Sequence, residues 1–306
     1  MHERCPGRRR NAALSAEPSH AMLITSRANM KMKQIRRLLR NRRERERTGL
    51  FFAEGGQLVA EALRMNADIE TLILAPELMD DDTAAEIAFL REGREIATVE
   101  VTGEVFGSLS PKDGRQGVAA VVRQRWDRLE GIRPSKDTCW VAVSRIQHPG
   151  SLGTILRVSD SVGGRGVMLI GDSSDPYDPT AVRASLGAIF SQSVVQTSFE
   201  EFAAWSRGCG CTVVGTSPAA EADYREIPYE LPVVLFLGSE RIGLSPEQQA
   251  VCDLVVRIPM AGRCDSHHVA VAAAIVLYEV LNRRESGKAK TAVRRAGAGQ
   301  DASGGP

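Results

Sequence analysis

From residue 139 onward the chain alternates short, nearly unbroken apolar runs with helix-length segments, and this alternation restricts the fold more than any other feature. Residues 139–143, 167–170, 212–215, 233–237 and 254–258 read as strands whose apolar residues follow one another instead of alternating with polar ones. A strand of that kind is covered on both faces, as in a parallel sheet held between two layers of helices. The expected helices fill the gaps at 151–162, 180–190, 199–207 and 246–250, and a long one at 269–284 closes the series. Ligands of such sheets sit beyond the carboxyl ends of the strands, so chemistry is expected in the segments that leave those ends.

The first half is organised differently. Residues 49–53, 69–74, 96–101 and 117–123 read as strands and 57–65 and 83–92 as helices, giving a small α/β domain over 30–123 with a mostly parallel sheet. Residues 31–47 hold nine Lys or Arg against Glu44 and Glu46, with Ile35, Leu38 and Leu39 at helical spacing, and predict one basic amphipathic helix. Lys33, Arg36, Arg37, Arg40 and Arg43 on that face would neutralise phosphates of a nucleic acid; a merely solvated helix face is the plainer alternative. Residues 124–138 mix Trp126, Gly131, Pro134 and charges without periodicity, which suits a linker to a second domain at 139–285. Residues 1–29 and 286–306 are expected to be disordered tails.

The formal net charge of +1 conceals basic residues crowded toward both ends. No stretch approaches the roughly 18 to 20 apolar residues that span a bilayer, so no membrane partner is expected. Six cysteines scattered through a chain without a secretory signal suit reduced thiols in the cytoplasm. Cys209 and Cys211 lack the second pair that a zinc site needs, so no metal is expected.

Three of the segments that leave strand ends are unusual. Residues 148–157 (HPGSLGTILR) open a helix that delivers Arg157; residues 237–245 (LGSERIGLS) bracket Glu240 with glycines; residues 258–269 (IPMAGRCDSHHV) run into the terminal helix. Each alone is an ordinary glycine-bearing turn. Together, and in this order, they resemble the three sequence motifs of the SpoU/TrmH family of SPOUT-class RNA 2′-O-ribose methyltransferases. Residues 178–188 (DPTAVRASLGA) are also similar to a family segment, and residues 49–55 (GLFFAEG) resemble the ribosomal-protein-like RNA-binding domain that many members carry ahead of the catalytic one.

That resemblance implies a C-terminal trefoil-knotted α/β domain with a parallel sheet, preceded by a small α/β RNA-binding domain. It implies S-adenosyl-L-methionine as cofactor, structured RNA as substrate (ribosomal ahead of transfer RNA), and a homodimer that completes the active site. Gly238, Ile258 and His267 match cofactor-contacting positions, with Met260 and Gly262 in the same loop. Arg157 matches the arginine linked to activation of the 2′-hydroxyl. A guanidinium is a poor proton acceptor, so clamping the adjacent phosphate or stabilising the developing alkoxide are alternative roles for it. Glu240 and Ser266 match motif residues that would orient the arginine and approach the ribose, Ser266 also being placed to cap the final helix. The family has asparagines where this chain has Ser151 and His268; His268 is read as a proton acceptor or as a surface or capping histidine. A catalytically inactive RNA-binding relative is therefore the alternative to an active enzyme. A third reading, a generic nucleotide-binding α/β enzyme, suffers from the absence of a suitably placed phosphate loop in this chain.

Overall fold

A computed structural model describes residues 23–110, 116–135 and 138–298, with side chains to residue 286. The first domain runs β1 (Leu23–Ile24), α1 (Met30–Arg40), α2 (Arg42–Thr48), β2 (Leu50–Glu54), α3 (Gly56–Arg64), β3 (Ile69–Leu74), α4 (Asp81–Leu90), β4 (Thr98–Val101), α5 (Gly103–Gly107) and β5 (Val118–Arg123). Its sheet has the order β1-β4-β3-β5-β2. β4 pairs parallel with β1 and β3, whereas β5 runs antiparallel to both β3 and β2. The expected mostly parallel sheet is thus mixed, because apolar runs report burial and carry no record of strand direction.

Two further expectations change here. Residues 23–29 leave the expected tail, since Leu23 and Ile24 pair with Glu100 and Val101 at the sheet edge; Met1 to Met22 lie outside the described residues. The basic segment is two helices. Asn41 adopts an extended backbone (φ −133°, ψ 110°) and its side chain accepts the Arg43 N–H, which ends α1 and caps α2.

The second domain runs β6 (Cys139–Ser144), α6 (Pro149–Ser161), β7 (Gly166–Ile170), α7 (Pro179–Ala184), α8 (Ala188–Ser191), β8 (Ser193–Thr197), α9 (Phe199–Ser206), β9 (Thr212–Thr216), β10 (Ala222–Asp223), β11 (Val233–Leu237), α10 (Pro246–Gln249), β12 (Leu254–Arg257) and α11 (Val269–Ala298). Its seven strands are all parallel, in the order β10-β12-β9-β11-β6-β7-β8. Both faces are covered as expected. Val141, Val143, Leu235 and Leu237 join one apolar cluster with α6, α7 and α11, while Trp140, Ala142, Val234 and Phe236 join another with Phe202 of α9. The order sets the loops after β9, β11 and β12 side by side at the carboxyl edge.

α11 continues past its expected end near residue 284 to Ala298, which replaces most of the expected tail at 286–306. Residues 288–298 are rich in Ala, Lys and Arg, which favour helix, so a low-complexity composition was compatible with order. The expected linker is packed as well. Leu129 and Ile132 are buried against the second sheet, and the Asp127 N–H donates to Val194 O at 2.9 Å along the edge strand β8.

The domains share one continuous core. Phe51 of β2 contacts Phe190 and Tyr177, with ring centroids 6.0 and 4.7 Å away. Arg45 of α2, 3% exposed, crosses the seam to Asp175 at 2.7 Å and Asp178 at 3.3 Å. One arginine of the basic segment therefore serves structure: a buried cation without such partners would carry a heavy desolvation penalty.

Candidate active site

The turn after β11 is built by glycine. Ser239 and Gly243 close it with two backbone hydrogen bonds of 3.1 and 2.9 Å, and Gly243 has φ +73°. A Cβ on Gly238 would lie 2.0 Å from the Gly243 carbonyl carbon, so the tight fold of this turn itself demands glycine at 238. The turn, the loop after β9 at 216–218, Ile258 and Met260 after β12, and residues 265–267 before α11 enclose a cavity of about 260 Å³.

Of the expected cofactor residues, Gly238, Ile258, Met260 and His267 line this cavity and Gly262 does not; Glu240 and Ser266 line it too. Thr216, Ser217 and Pro218 were missed from the sequence, although they immediately follow an expected strand. The cavity suits S-adenosylmethionine chemically. Val256, Ile258 and Met260 would offer apolar walls to an adenine, Glu240 and Asp265 would offset the sulfonium and ammonium charges, and Arg241 would be available to the carboxylate. The volume falls just under the range of about 300–1,000 Å³ for small-molecule sites.

The first motif reaches this cavity through Ser151 in the first turn of α6. Its hydroxyl donates to Glu240 Oε1 at 2.9 Å and lies 2.9 Å from His268 Nε2. His268 Nδ1 accepts the Ala270 N–H at 3.3 Å, so the neutral ring carries its proton on Nε2 and donates to Ser151 Oγ. His268 thereby caps α11, a task anticipated for Ser266, whose hydroxyl turns to Asp265 Oδ1 at 3.1 Å. The only acceptor nitrogen of the neutral His268 ring is held by the cap, so this geometry does not favour its reading as a proton acceptor. His148 Nε2 stands 3.7 Å from Glu240 Oε2 on the outer side. The two residues that replace family asparagines are thus in contact with one another, and together they hold the motif carboxylate.

Arg157 stands apart. It is six residues beyond Ser151, about 9 Å along α6 and about 240° around its axis, is exposed, and bonds to no described residue. It does not line the cavity within one chain. On the first domain Lys33, Arg37, Arg40 and Arg43 are exposed, whereas Arg36 is half-buried and donates to Ser108 Oγ at 2.9 Å and to Arg27 O.

Among the described residues there is no cluster of His, Cys, Asp or Glu that would hold a metal ion, and no helix is long and apolar enough to cross a membrane. Cys209 and Cys211 contact one another through a 3.3 Å N–H···S bond, and hydrogen bonding draws the Cys209 thiol down to about 7.

The parallel sheet with its glycine-built cavity and the preceding domain are those of SPOUT methyltransferases of solved structure, and the chain belongs to the SpoU rRNA methylase family. The model of that family matches residues 138–278, and that of the MRM3-like substrate-binding domain matches residues 29–120. The chain is 32% identical over 278 residues to a 23S rRNA (uridine(2479)-2′-O)-methyltransferase of Streptomyces viridochromogenes, covering 89% of this chain and 96% of that enzyme. It is 28% identical to the 23S rRNA (guanosine(2553)-2′-O)-methyltransferase RlmP of Bacillus subtilis, covering 84% and 98%. The AdoMet-bound rRNA methyltransferase of Sinorhizobium meliloti superposes with a TM-score of 0.78 at 35% identity, over 85% of this chain and 97% of that one.

Proposed function

We propose that the protein transfers a methyl group from S-adenosylmethionine to a ribose 2′-hydroxyl of structured RNA, ribosomal ahead of transfer RNA, as a homodimer in the cytoplasm. The observation that carries this reading is the Ser151–Glu240 hydrogen bond. It ties the first motif to the cavity formed by the second and third, so three segments far apart in sequence form one site.

When bound, the cofactor supplies an electrophilic methyl whose C–S bond breaks as the new C–O bond forms. Gly238, Ile258 and Met260 would hold it by close backbone and apolar contact. Glu240, fixed by Ser151, presents its carboxylate to the cavity and would orient the groups that approach it. Arg157 would clamp the phosphate beside the target ribose and stabilise the developing alkoxide, and the hydroxyl proton leaves to a phosphate oxygen or water. Aligning nucleophile and methyl at about 3–3.5 Å is the larger share of the work. Because Arg157 lies outside its own cavity, a second copy of the chain or the RNA itself must complete the constellation. Val271 and Tyr278, seven residues apart on one face of α11, are 45% and 47% exposed, and Ile242 at the cavity rim is 83% exposed, which supports an apolar contact between two copies.

The test is tritiated methyl transfer to ribosomal RNA purified from cells lacking the protein. Incorporation that maps to one 2′-hydroxyl is expected, together with a dimer by sedimentation. Absence of incorporation into ribosomal and transfer RNA alike would overturn the reading.

A further inference from the structure

A second cavity lies on the seam between the domains and takes no part in the site described above. It has a volume of about 460 Å³, within the range of ligand sites, and its walls come from α2, the end of β5, the segment after β5 and the loop after β7. We propose that this cavity, walled by Trp126, Arg42, Arg123 and Gln196, is an RNA subsite that takes one unstacked nucleotide of the substrate strand, away from the nucleotide that is methylated.

The walls have the chemistry for it. Trp126 is 39% exposed, yet fixed by its Nε1–H bond to Gln124 Oε1 at 3.0 Å and by a T-shaped contact with Tyr177 at 5.3 Å. Unstacked RNA bases are received on aromatic rings of this kind. Gln196 is exposed, and its amide bonds to no described residue, so both its donor and its acceptor are free to read a base edge. Arg123 is engaged in an exposed ion pair with Asp68 at 3.1 Å, and Arg42 in one with Glu46 at 2.8 Å while its other arm donates to the Ser173 carbonyl in the cavity wall at 3.1 Å. Pairs of that exposure hold their partners weakly, so either guanidinium can exchange its carboxylate for a phosphate.

The location fits as well. Ser174 and Pro176 in the wall belong to the loop after β7, so this cavity opens on the same carboxyl edge as the first. From β9 to β8 is four strand spacings, roughly 19 Å at about 4.8 Å each. That corresponds to roughly five or six nucleotides of stacked strand at about 3.4 Å each. The exposed arginines of α1 and α2 continue beyond it.

The proposal rests on the RNA-methyltransferase reading, and RNA affinity tests it independently of turnover. Binding of the substrate RNA is measured by filter retention, and methyl transfer in parallel, for Trp126→Ala, Trp126→Phe, Gln196→Ala and Arg123→Ala, with melting curves to establish folding. Trp126→Ala should raise the RNA Kd and KM by about 5- to 150-fold, the equivalent of about 1–3 kcal/mol for one stacked base, while cofactor affinity and kcat stay unchanged. Trp126→Phe should restore most of the loss, and Gln196→Ala should weaken binding by a smaller factor without altering the melting point. Unchanged RNA affinity in both Trp126→Ala and Gln196→Ala overturns the subsite whether or not methyl transfer occurs; a wild-type protein that binds RNA through Trp126 but never methylates overturns only the parent reading.

Discussion

The turns after β9, β11 and β12 and the arginines of α1, α2 and α6 both await charged ligands, but they are built by opposite means. The turns are closed by their own backbone, with Gly238 pressed against Gly243 and Ser151 tied to Glu240, so one chain makes a concave site without help. Apart from the buried Arg45 and half-buried Arg36 the arginines are exposed, and apart from Arg36, Arg42, Arg45 and Arg47 they bond to no described residue. A small molecule must be enclosed by preset groups, whereas a polyanion supplies its own order and needs only reachable cations.

Arg157 gives the sharpest way to break that contrast. As it stands outside the cavity, Arg157→Ala should cut the rate of methyl transfer by about 10²–10³, the usual cost of losing one group that stabilises developing charge, and leave S-adenosylmethionine affinity unchanged by calorimetry. A parallel loss of cofactor affinity would place the guanidinium on the enclosed side instead. Gly238→Ala should show the complementary pattern. Its Cβ meets backbone that cannot swing away, and overpacking of about 1–3 kcal/mol would weaken the cofactor by roughly 5- to 150-fold while RNA affinity holds.

Much of this contrast was legible beforehand, and what was not has definite causes. β11 falls on its expected residues because a continuous apolar run demands burial on both faces. β8 was missed because only Val194 and Val195 sit between polar neighbours on an edge strand. Asn41 should have been seen as a helix break, since Asn is a preferred cap and does cap α2. The contact between Ser151 and His268 spans 117 residues, and no periodicity reports such a pairing. Read singly, each replaced a family asparagine and cast doubt on activity. In contact, they form one substituted unit that keeps Glu240 in place.

Ser151→Ala tests that unit. It removes the hydroxyl between His268 and Glu240, leaving a half-buried carboxylate one donor short, so transfer should slow by about 5- to 30-fold, as for a charged hydrogen bond of about 1–2 kcal/mol. The double change Ser151→Asn with His268→Asn should recover more activity than either single change. Additive losses in this cycle would mean that the two residues act independently and the pairing has no functional weight.

The smallest effects belong to the exposed cations. Lys33, Arg37, Arg40 and Arg43 each contribute charge without fixed geometry, so replacing any one by Gln should weaken RNA binding only a few-fold and equally for unrelated sequences. The dependence of log affinity on log salt should flatten by about one unit per residue removed. Arg36→Gln should change that slope less, because its guanidinium is already held by Ser108 and the Arg27 carbonyl. Equal slopes for Arg36→Gln and Arg37→Gln would mean that RNA pulls Arg36 from those partners, and the line drawn here between cations spent on structure and cations kept for the polyanion would then stop at Arg45, whose buried bonds to Asp175 and Asp178 no exposed phosphate replaces.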